Sequence, residues 1–462
     1  MLHNVSKGIT TLSRTAVGAL FVVSGLIKSN DALGFMYKLE EYFEPGALNL
    51  EYLTPYALEI AVFVCVGEIL LGVALLVGAL PKITSVLTTA MMLFFTWLTW
   101  YTATCDPYGV KEIVGPDGLL FEISNQCVLE CGCFGNAIPL TPIQSFYKDV
   151  ILMLFVLPIL ISAFRNKISL NNTRDSLVIY TGALVMTFLF GYLMLDWNFP
   201  TLYLIFLLFA VEAIRKRVRS KHVEWIMAGA ALVVISFVQY RTLAHLPMKD
   251  YRPYAVDESI VDNRKSAIEL GLEGPVVAIE YTFKNLATGE NKVILSTDYL
   301  ADRLWEDEAF NAEYEVVTYD GAEVLIKEGY EPRILDFQMI DEMGEDLTDS
   351  LLAYGGYTFL HISKELVTAN NSNQTAFNEL AKSAQADGHN FFALTNALYD
   401  ENESYRHNYQ VPYDFLTCDQ IELKIIVRSN PGLVLLKNGI VIEKWAWRDV
   451  PNYEDLKGTL IK

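Results

Sequence analysis

A chain of 462 residues exceeds one ordinary domain, and 52% hydrophobic residues with a mean hydropathy of +0.27 exclude a conventional soluble protein, so part of it belongs in lipid. The net charge of −20 is unevenly spread: of 35 Lys+Arg and 55 Asp+Glu, 16 and 17 lie up to Arg241, leaving 19 against 38 beyond it. So acidic a second half is repelled by phosphate backbones and anionic headgroups, which argues against nucleic acid as a partner and marks that half as water-exposed.

Apolar stretches at or near the roughly 20 residues that a spanning helix needs fall at 10–28, 56–79, 83–104, 144–164, 176–195, 199–214 and 222–241. They predict about seven transmembrane helices. The sixth is short and opens at Pro200; if it does not cross, everything after it changes sides. Lys7, Arg14, Lys82, Arg165, Lys167, Arg174 and the cluster Arg215, Lys216, Arg217, Arg219 and Lys221 fall on one side of seven alternating spans. The opposite loops hold only Lys28, Lys38, Lys111, Lys148 and Arg241. This bias puts the N-terminus in the cytoplasm and the loops 29–55 and 105–143, with everything after Arg241, outside. The expectation is a bacterial inner-membrane protein with a periplasmic C-terminal half. No small-residue cleavage site follows the first span, so it reads as a retained anchor.

Within the second span Glu68 stands among Val64, Val66, Ile69 and Leu71, where a carboxylate is costly unless paired, protonated or facing a cavity. It is a candidate quinone or proton site, with Lys28 at the outer end of the first span as its partner. A helix–helix hydrogen bond that only holds the bundle together is the plainer alternative. No histidine lies deep in a span, so haem is not expected. Cys65 reads as packing.

Four of the six cysteines, Cys105, Cys127, Cys131 and Cys133, share the loop 105–143. Outside the cytoplasm such thiols oxidise. A Cys131–Cys133 disulfide would close a small strained ring and be a good oxidant; Cys105 and Cys127 could then relay electrons to or from it through a mixed disulfide. Four cysteines admit three pairings, and two bridges that merely staple the loop fit the same sequence. The spacing lacks paired C-x2-C knuckles, so a metal is not expected. Asp106 and Glu130 disfavour a thiolate beside them, which counts against a strongly activated one.

The run Cys131-Gly132-Cys133-Phe134-Gly135-Asn136-Ala137, then Leu140-Thr141-Pro142 and Phe146-Tyr147-Lys148-Asp149, resembles the DoxX/MauE-like family of membrane proteins. So do Ser24-Gly25-Leu26-Ile27-Lys28 and Tyr37-Lys38-Leu39-Glu40-Glu41-Tyr42-Phe43. The resemblance implies a four-helix bundle that presents the C-G-C-F-G loop outside the membrane. It also implies redox work, since some members are linked to disulfide formation in a periplasmic enzyme and others to quinone-linked sulfur oxidation. Leu246-Pro247 and Asp250-Tyr251-Arg252-Pro253-Tyr254 resemble the junction in long DoxX-like proteins of the Bacteroidota type. Cys105 and Cys127 lie outside the family motif.

Beyond Arg241 the pattern alternates. Strands are predicted at Pro275 to Phe283 and Lys292 to Leu295, joined as a hairpin, then at Tyr314 to Tyr319, Ala322 to Lys327 and Ile334 to Ile340. The last stretch reads as a strand Tyr357 to Ile362, a helix Gln374 to Ala386, a strand Phe391 to Leu394, a helix Gln420 to Val427, and strands Gly432 to Lys437 and Ile440 to Trp447 around Asn438-Gly439. That order is similar to a thioredoxin-like domain, with Pro431 in the place of its cis-proline turn. Ser363-Lys364-Glu365-Leu366 stands where thioredoxins carry C-x-x-C, so the domain is read as a binder of client proteins at Pro431. Cys418, just before a helix, is a candidate thiol of that same surface, or a buried small residue.

The chain thus divides into a four-helix bundle 1–168, three further transmembrane helices 169–245, a β-rich extracytoplasmic connector 246–345 and a thioredoxin-like domain 346–462. Three functions fit: a thiol-disulfide redox protein working through Cys131 and Cys133 toward a quinone, a non-enzymatic subunit that scaffolds an envelope complex, and a subunit of a sulfur-compound:quinone oxidoreductase.

Overall fold

The structure, a computed structural model, describes residues 2–106, 109–114, 120–128, 132, 134–319, 321 and 323–461. Its N-terminal half is a bundle of α1 (Leu2–Asn30), α2 (Ala32–Phe43), α3 (Ala57–Val77), α4 (Pro81–Ala103), α5 (Pro142–Phe164), α6 (Thr173–Met194), α7 (Phe199–Arg217) and α8 (Val223–Ala244). Among the described residues six helices are long and apolar enough to cross a membrane, namely α1, α3, α4, α5, α6 and α8. Phe63, Leu154, Phe209, Val233 and Phe237 leave large apolar side chains on the bundle's outside, as a helix surface facing lipid does.

The sixth expected span is α7. Glu212, Arg215, Lys216 and Arg217 fill its last turns and keep it below the apolar length of the other six. It nevertheless runs the depth of the bundle: Trp197 at its start packs with Leu195 and Tyr251, while Glu212 accepts from Tyr180 at 2.7 Å and Arg215 donates to the Asn171 carbonyl at the far end. The segment 29–55, expected as a simple loop, holds α2, whose first turn is capped by Asp31 accepting from Gly34 N at 2.9 Å. In the cysteine loop β1 (Val110–Val114) and β2 (Leu120–Ser124) pair antiparallel.

The C-terminal half begins with α9 (Ile260–Asn263) and a small module: β3 (Val276–Asn285), β4 (Asn291–Leu295), α10 (Ser296–Ala301), α11 (Glu308–Glu313), β5 (Tyr314–Thr318) and β6 (Glu323–Lys327). The expected hairpin forms with Lys284 opposite Asn291; the first half of β3 pairs with β6 and its second half with both β4 and β5. Ala322 lies outside the described residues. Ile334 to Ile340 is not a strand. Ile334, Phe337 and Met339 are buried in the core of the following layer, and only Ile340 makes bridges, to Asp346 and Thr417. An apolar run can thus fill a core without joining a ladder.

That layer contains α12 (Thr348–Leu352), β7 (Tyr357–Ser363), α13 (Gln374–Ala386), β8 (Asn390–Thr395), α14 (Tyr399–Tyr409), β9 (Asp414–Thr417), α15 (Gln420–Ile426), β10 (Gly432–Lys437), β11 (Ile440–Ala446) and α16 (Tyr453–Lys457). Its sheet runs β11-β10-β7-β8-β9, with β7, β8 and β9 parallel, β10 antiparallel to β7, and β11 antiparallel to β10. β7 is buried along its whole length because helices cover both faces of the sheet. Phe359 meets Phe377, Phe391 and Leu435 on one side; Leu360 and Ile362 meet Leu394, Leu423 and Val434 on the other.

The layer is fixed to the bundle where α1 and α8 end. Asn30 accepts from Met248 N at 2.8 Å and donates to the Lys249 carbonyl at 2.7 Å, so both helices finish on the domain-bearing side. Further along, Asp250 accepts from Arg252 at 2.7 and 2.8 Å and from Lys444 of β11 at 2.6 Å. Lys444 also donates to the carbonyls of Tyr254 and Ile426. Burial works to raise the Asp250 carboxyl, but the charges of Arg252 and Lys444 outweigh it and hold it well below the usual carboxylate range. Because the folded value is the depressed one, this contribution is complete above the unfolded-state pKa of about 3.9 and is lost on acidification below it. Asp250→Asn should lower stability at pH 7 by roughly 3–5 kcal/mol, as expected when buried cations lose their partner. Melting in detergent between about pH 6 and about pH 2, roughly two units either side of that unfolded-state value, should show a steeper acid loss for the wild type than for the variant. Parallel curves would remove Asp250 from the account.

Candidate functional site

Small residues let α1 and α3 touch. A side chain at Gly72 would come within 2.8 Å of the Gly18 carbonyl, and one at Gly25 within 3.0 Å of the Cys65 carbonyl. One turn beyond Gly25, Lys28 crosses this seam and donates to Glu68 at 2.7 Å, and to Ser24 on its own helix at 2.9 Å. Both side chains are almost wholly enclosed, 3% and 4% exposed. The sequence paired these two residues and the structure brings them together.

Beside the pair lies a cavity of about 410 Å³, within the size range of small-molecule sites. Ser24, Lys28 and Glu68 form one part of its wall, Phe95 of α4 another, and Gln144, Lys148 and Asp149 of α5 a third; the remainder is apolar. Thr141 starts α5 with a reciprocal cap to Gln144, which fixes its first turn, and Lys148 and Asp149 follow one turn further along on the cavity wall. Lys148 and Asp149 pair at 3.1 Å, and Asp149 accepts from Thr99 of α4 at 3.1 Å. Phe134 closes the domain-bearing end, packed on Val23, Ile27 and Leu195 with its ring 5.6 Å from that of Phe190. Sequence reasoning counted Lys148 in the Lys/Arg placement and named Lys148 and Asp149 otherwise only as part of a resemblance. The signal available was two ionisable residues at the mouth of an apolar span.

Cys131 and Cys133 lie outside the described residues. Their neighbours do not: Gly132 rests against Phe35 and Lys38 of α2, and Phe134 roofs the cavity. Cys105 and Cys127 are joined in a disulfide, with Cα atoms 5.7 Å apart.

Pro431 follows a cis peptide bond, as expected, and is buried. The turn is closed on itself: the Asn430 carbonyl accepts from Asn370 N at 2.9 Å, and its side chain accepts from Ser363 at 3.0 Å and donates to the Glu365 carbonyl at 2.9 Å. Beside it Arg428 donates to Asp31 of α2 at 2.8 Å, and Lys364 donates to the Tyr37 hydroxyl. Cys418 is 3% exposed in the core, and burial, with Glu422 adding to it, pushes its thiol up to about 12. The helix start therefore does not activate it; Asp419 caps that helix instead. Neither Pro431 nor Cys418 meets Lys28 and Glu68, and Cys65 is buried in α3.

Residues 6–106 match the family model described as methylamine utilisation protein MauE. The match covers α1 to α4, under a quarter of the chain, and ends one residue after Cys105. No curated protein and no solved structure matches this chain. The first four helices are thus similar to a membrane-protein family, and the chain as a whole is a helical membrane protein with a β-rich C-terminal part.

Removing one partner of the Lys28–Glu68 pair leaves a lone charge in an apolar bundle. Lys28→Met or Glu68→Leu alone should cost roughly 3–5 kcal/mol, and the double variant less than either single one. Unfolding in detergent, read as a double-mutant cycle, measures this. Additive losses would mean that the two charges do not support one another.

Proposed function

We propose that this protein is a membrane thiol–disulfide oxidoreductase that moves electrons from thiols of extracytoplasmic proteins, through Cys131 and Cys133, to a quinone. The observation that carries this reading is the cavity: an apolar space holding a buried ammonium–carboxylate pair, roofed by Phe134, the next residue after Cys133. In the first step two client thiols become a disulfide as the Cys131–Cys133 disulfide becomes two thiols. In the second, those two thiols return to a disulfide while the quinone takes up two electrons and two protons as hydroquinone. The Cys105–Cys127 bridge is the second redox pair, open to exchange by thiolate attack.

The chain is an inner-membrane protein with seven crossings, α7 among them as the sixth, a cytoplasmic N-terminus and a periplasmic C-terminal half. Supporting this are the Lys/Arg bias and the shared side of the α1 and α8 ends, which needs an odd number of crossings. The last domain is thioredoxin-like, a reading supported by its βαβ pair and terminal hairpin around central β7.

A scaffold role in an envelope complex is the second reading. Two observations favour it: the one described disulfide ties the loop together, and the Pro431 turn is closed by the chain itself. Purified protein in lipid nanodiscs, given a reduced dithiol peptide and a decyl-1,4-benzoquinone, should reduce the quinone as the peptide oxidises, and Cys131→Ser or Cys133→Ser should bring the rate to background. No turnover, with all loop cysteines staying oxidised in cells after quinone depletion, would overturn the redox reading in favour of the scaffold.

A further inference from the structure

Two similar polar units line the one cavity. On the α1–α3 side Lys28 is held by Glu68 and stands 5.0 Å from the Phe95 ring centroid; on the α5 side Lys148 is held by Asp149 and stands 5.1 Å from that of Phe134. Both aromatic rings and all four charged side chains belong to the cavity wall. Each ammonium already has its carboxylate, so the site is electrically neutral. An anion meets no excess positive charge there, and a cation no excess negative charge. The apolar remainder of the wall disfavours a strongly hydrated ligand. What fits is a flat, neutral, largely apolar molecule with a hydrogen-bond acceptor at each end.

Resting on the quinone reading above, we infer that the cavity is a two-pole site for a para-quinone, in which Lys28 holds one ring oxygen and Lys148 the other. The new residues are Lys148 and Asp149. A para-quinone carries its two carbonyl oxygens on opposite ends of the ring. Two-electron reduction makes both oxygens basic, and each takes one proton. An ammonium at each pole donates a hydrogen bond to the oxidised ring and a proton to the reduced one; the carboxylate beside it keeps the lysine in place and neutralises the resting site. The protons balance, because the two thiols that become a disulfide release two, which refill the two lysines. No further oxidant or reductant enters. Phe95 and Phe134 supply the apolar walls on which a ring can lie.

The inference separates from the broader reading by comparing two probes in nanodiscs: decyl-1,4-benzoquinone and a decyl cyclohexadienone of similar shape with a single carbonyl. Lys148→Met should weaken the quinone roughly 10- to 100-fold, the loss of one charge-assisted hydrogen bond, and leave the one-carbonyl probe, which the Lys28 pole can hold alone, within about threefold. Lys148→Arg should restore most of the quinone affinity. Equal weakening of both probes would make Lys148 a purely structural residue, and no effect on either would remove it from the site; each outcome overturns the two-pole arrangement while the quinone reading stands. If the wild type binds no quinone, the broader reading fails and this one with it.

Discussion

A charge taken into an apolar bundle costs several kcal/mol unless it meets an opposite charge in good geometry, and Lys28 and Glu68 satisfy that condition at 2.7 Å. Much else follows from the requirement. The pair can form only if α1 and α3 run close together, and Gly18, Gly25 and Gly72 supply the room. Ser24, one turn away on α1, gives the ammonium another acceptor. With two of its walls committed to a polar pair, the neighbouring space cannot be filled by packed aliphatic side chains without burying those groups against hydrocarbon. A cavity with polar walls is the consequence.

The bundle and the C-terminal layer meet through α2, a short helix that both parts share. Tyr37 on α2 lies near the cations Lys364, Lys424 and Arg428 of the layer, at 4.7, 5.1 and 5.4 Å from its ring centroid. Asp31, at the head of the same helix, binds Arg428; burial works to raise its carboxyl, but Arg428 and Arg252 outweigh this and lower it. Phe35 and Lys38 of α2 face Gly132 instead. One helix of 12 residues therefore lies beside Gly132, against the layer, and, through α1, next to the buried ion pair.

The spans were legible because lipid imposes one rule, an apolar length, and α7 alone strained it by carrying charge in its last turns. The layer was legible where strands are fully buried: Tyr357 to Ile362, Phe391 to Leu394 and Gly432 to Lys437 read as continuous apolar runs. α14 escaped notice because Tyr399 to Tyr409 is almost entirely polar, and β9 because four residues at a sheet edge give no period. Ile334 to Ile340 misled for the opposite reason, having the apolar pattern of a strand without partners for its backbone. In the site, Glu68 and Lys28 could be paired from sequence since each is costly alone. That Lys148 and Asp149 reach the same cavity from α5 depends on how helices 1, 4 and 5 pack, which no local pattern encodes.

The C-terminal layer, a five-stranded sheet around β7, is poorly equipped for thiol chemistry of its own. Its single thiol, Cys418, is enclosed beside Glu422, and both features work against a thiolate. Directly after β7, Lys364 reaches to Tyr37 of the bundle. The proline turn has its backbone and side-chain groups engaged by Asn370, Ser363 and Glu365, and its flank by Asp31. The residues after β7 and the flank of the proline turn are thus turned inward onto α2. On the redox reading proposed above, the path lies in the loop and the membrane cavity, and what the layer contributes is its hold on α2, against which Gly132 sits.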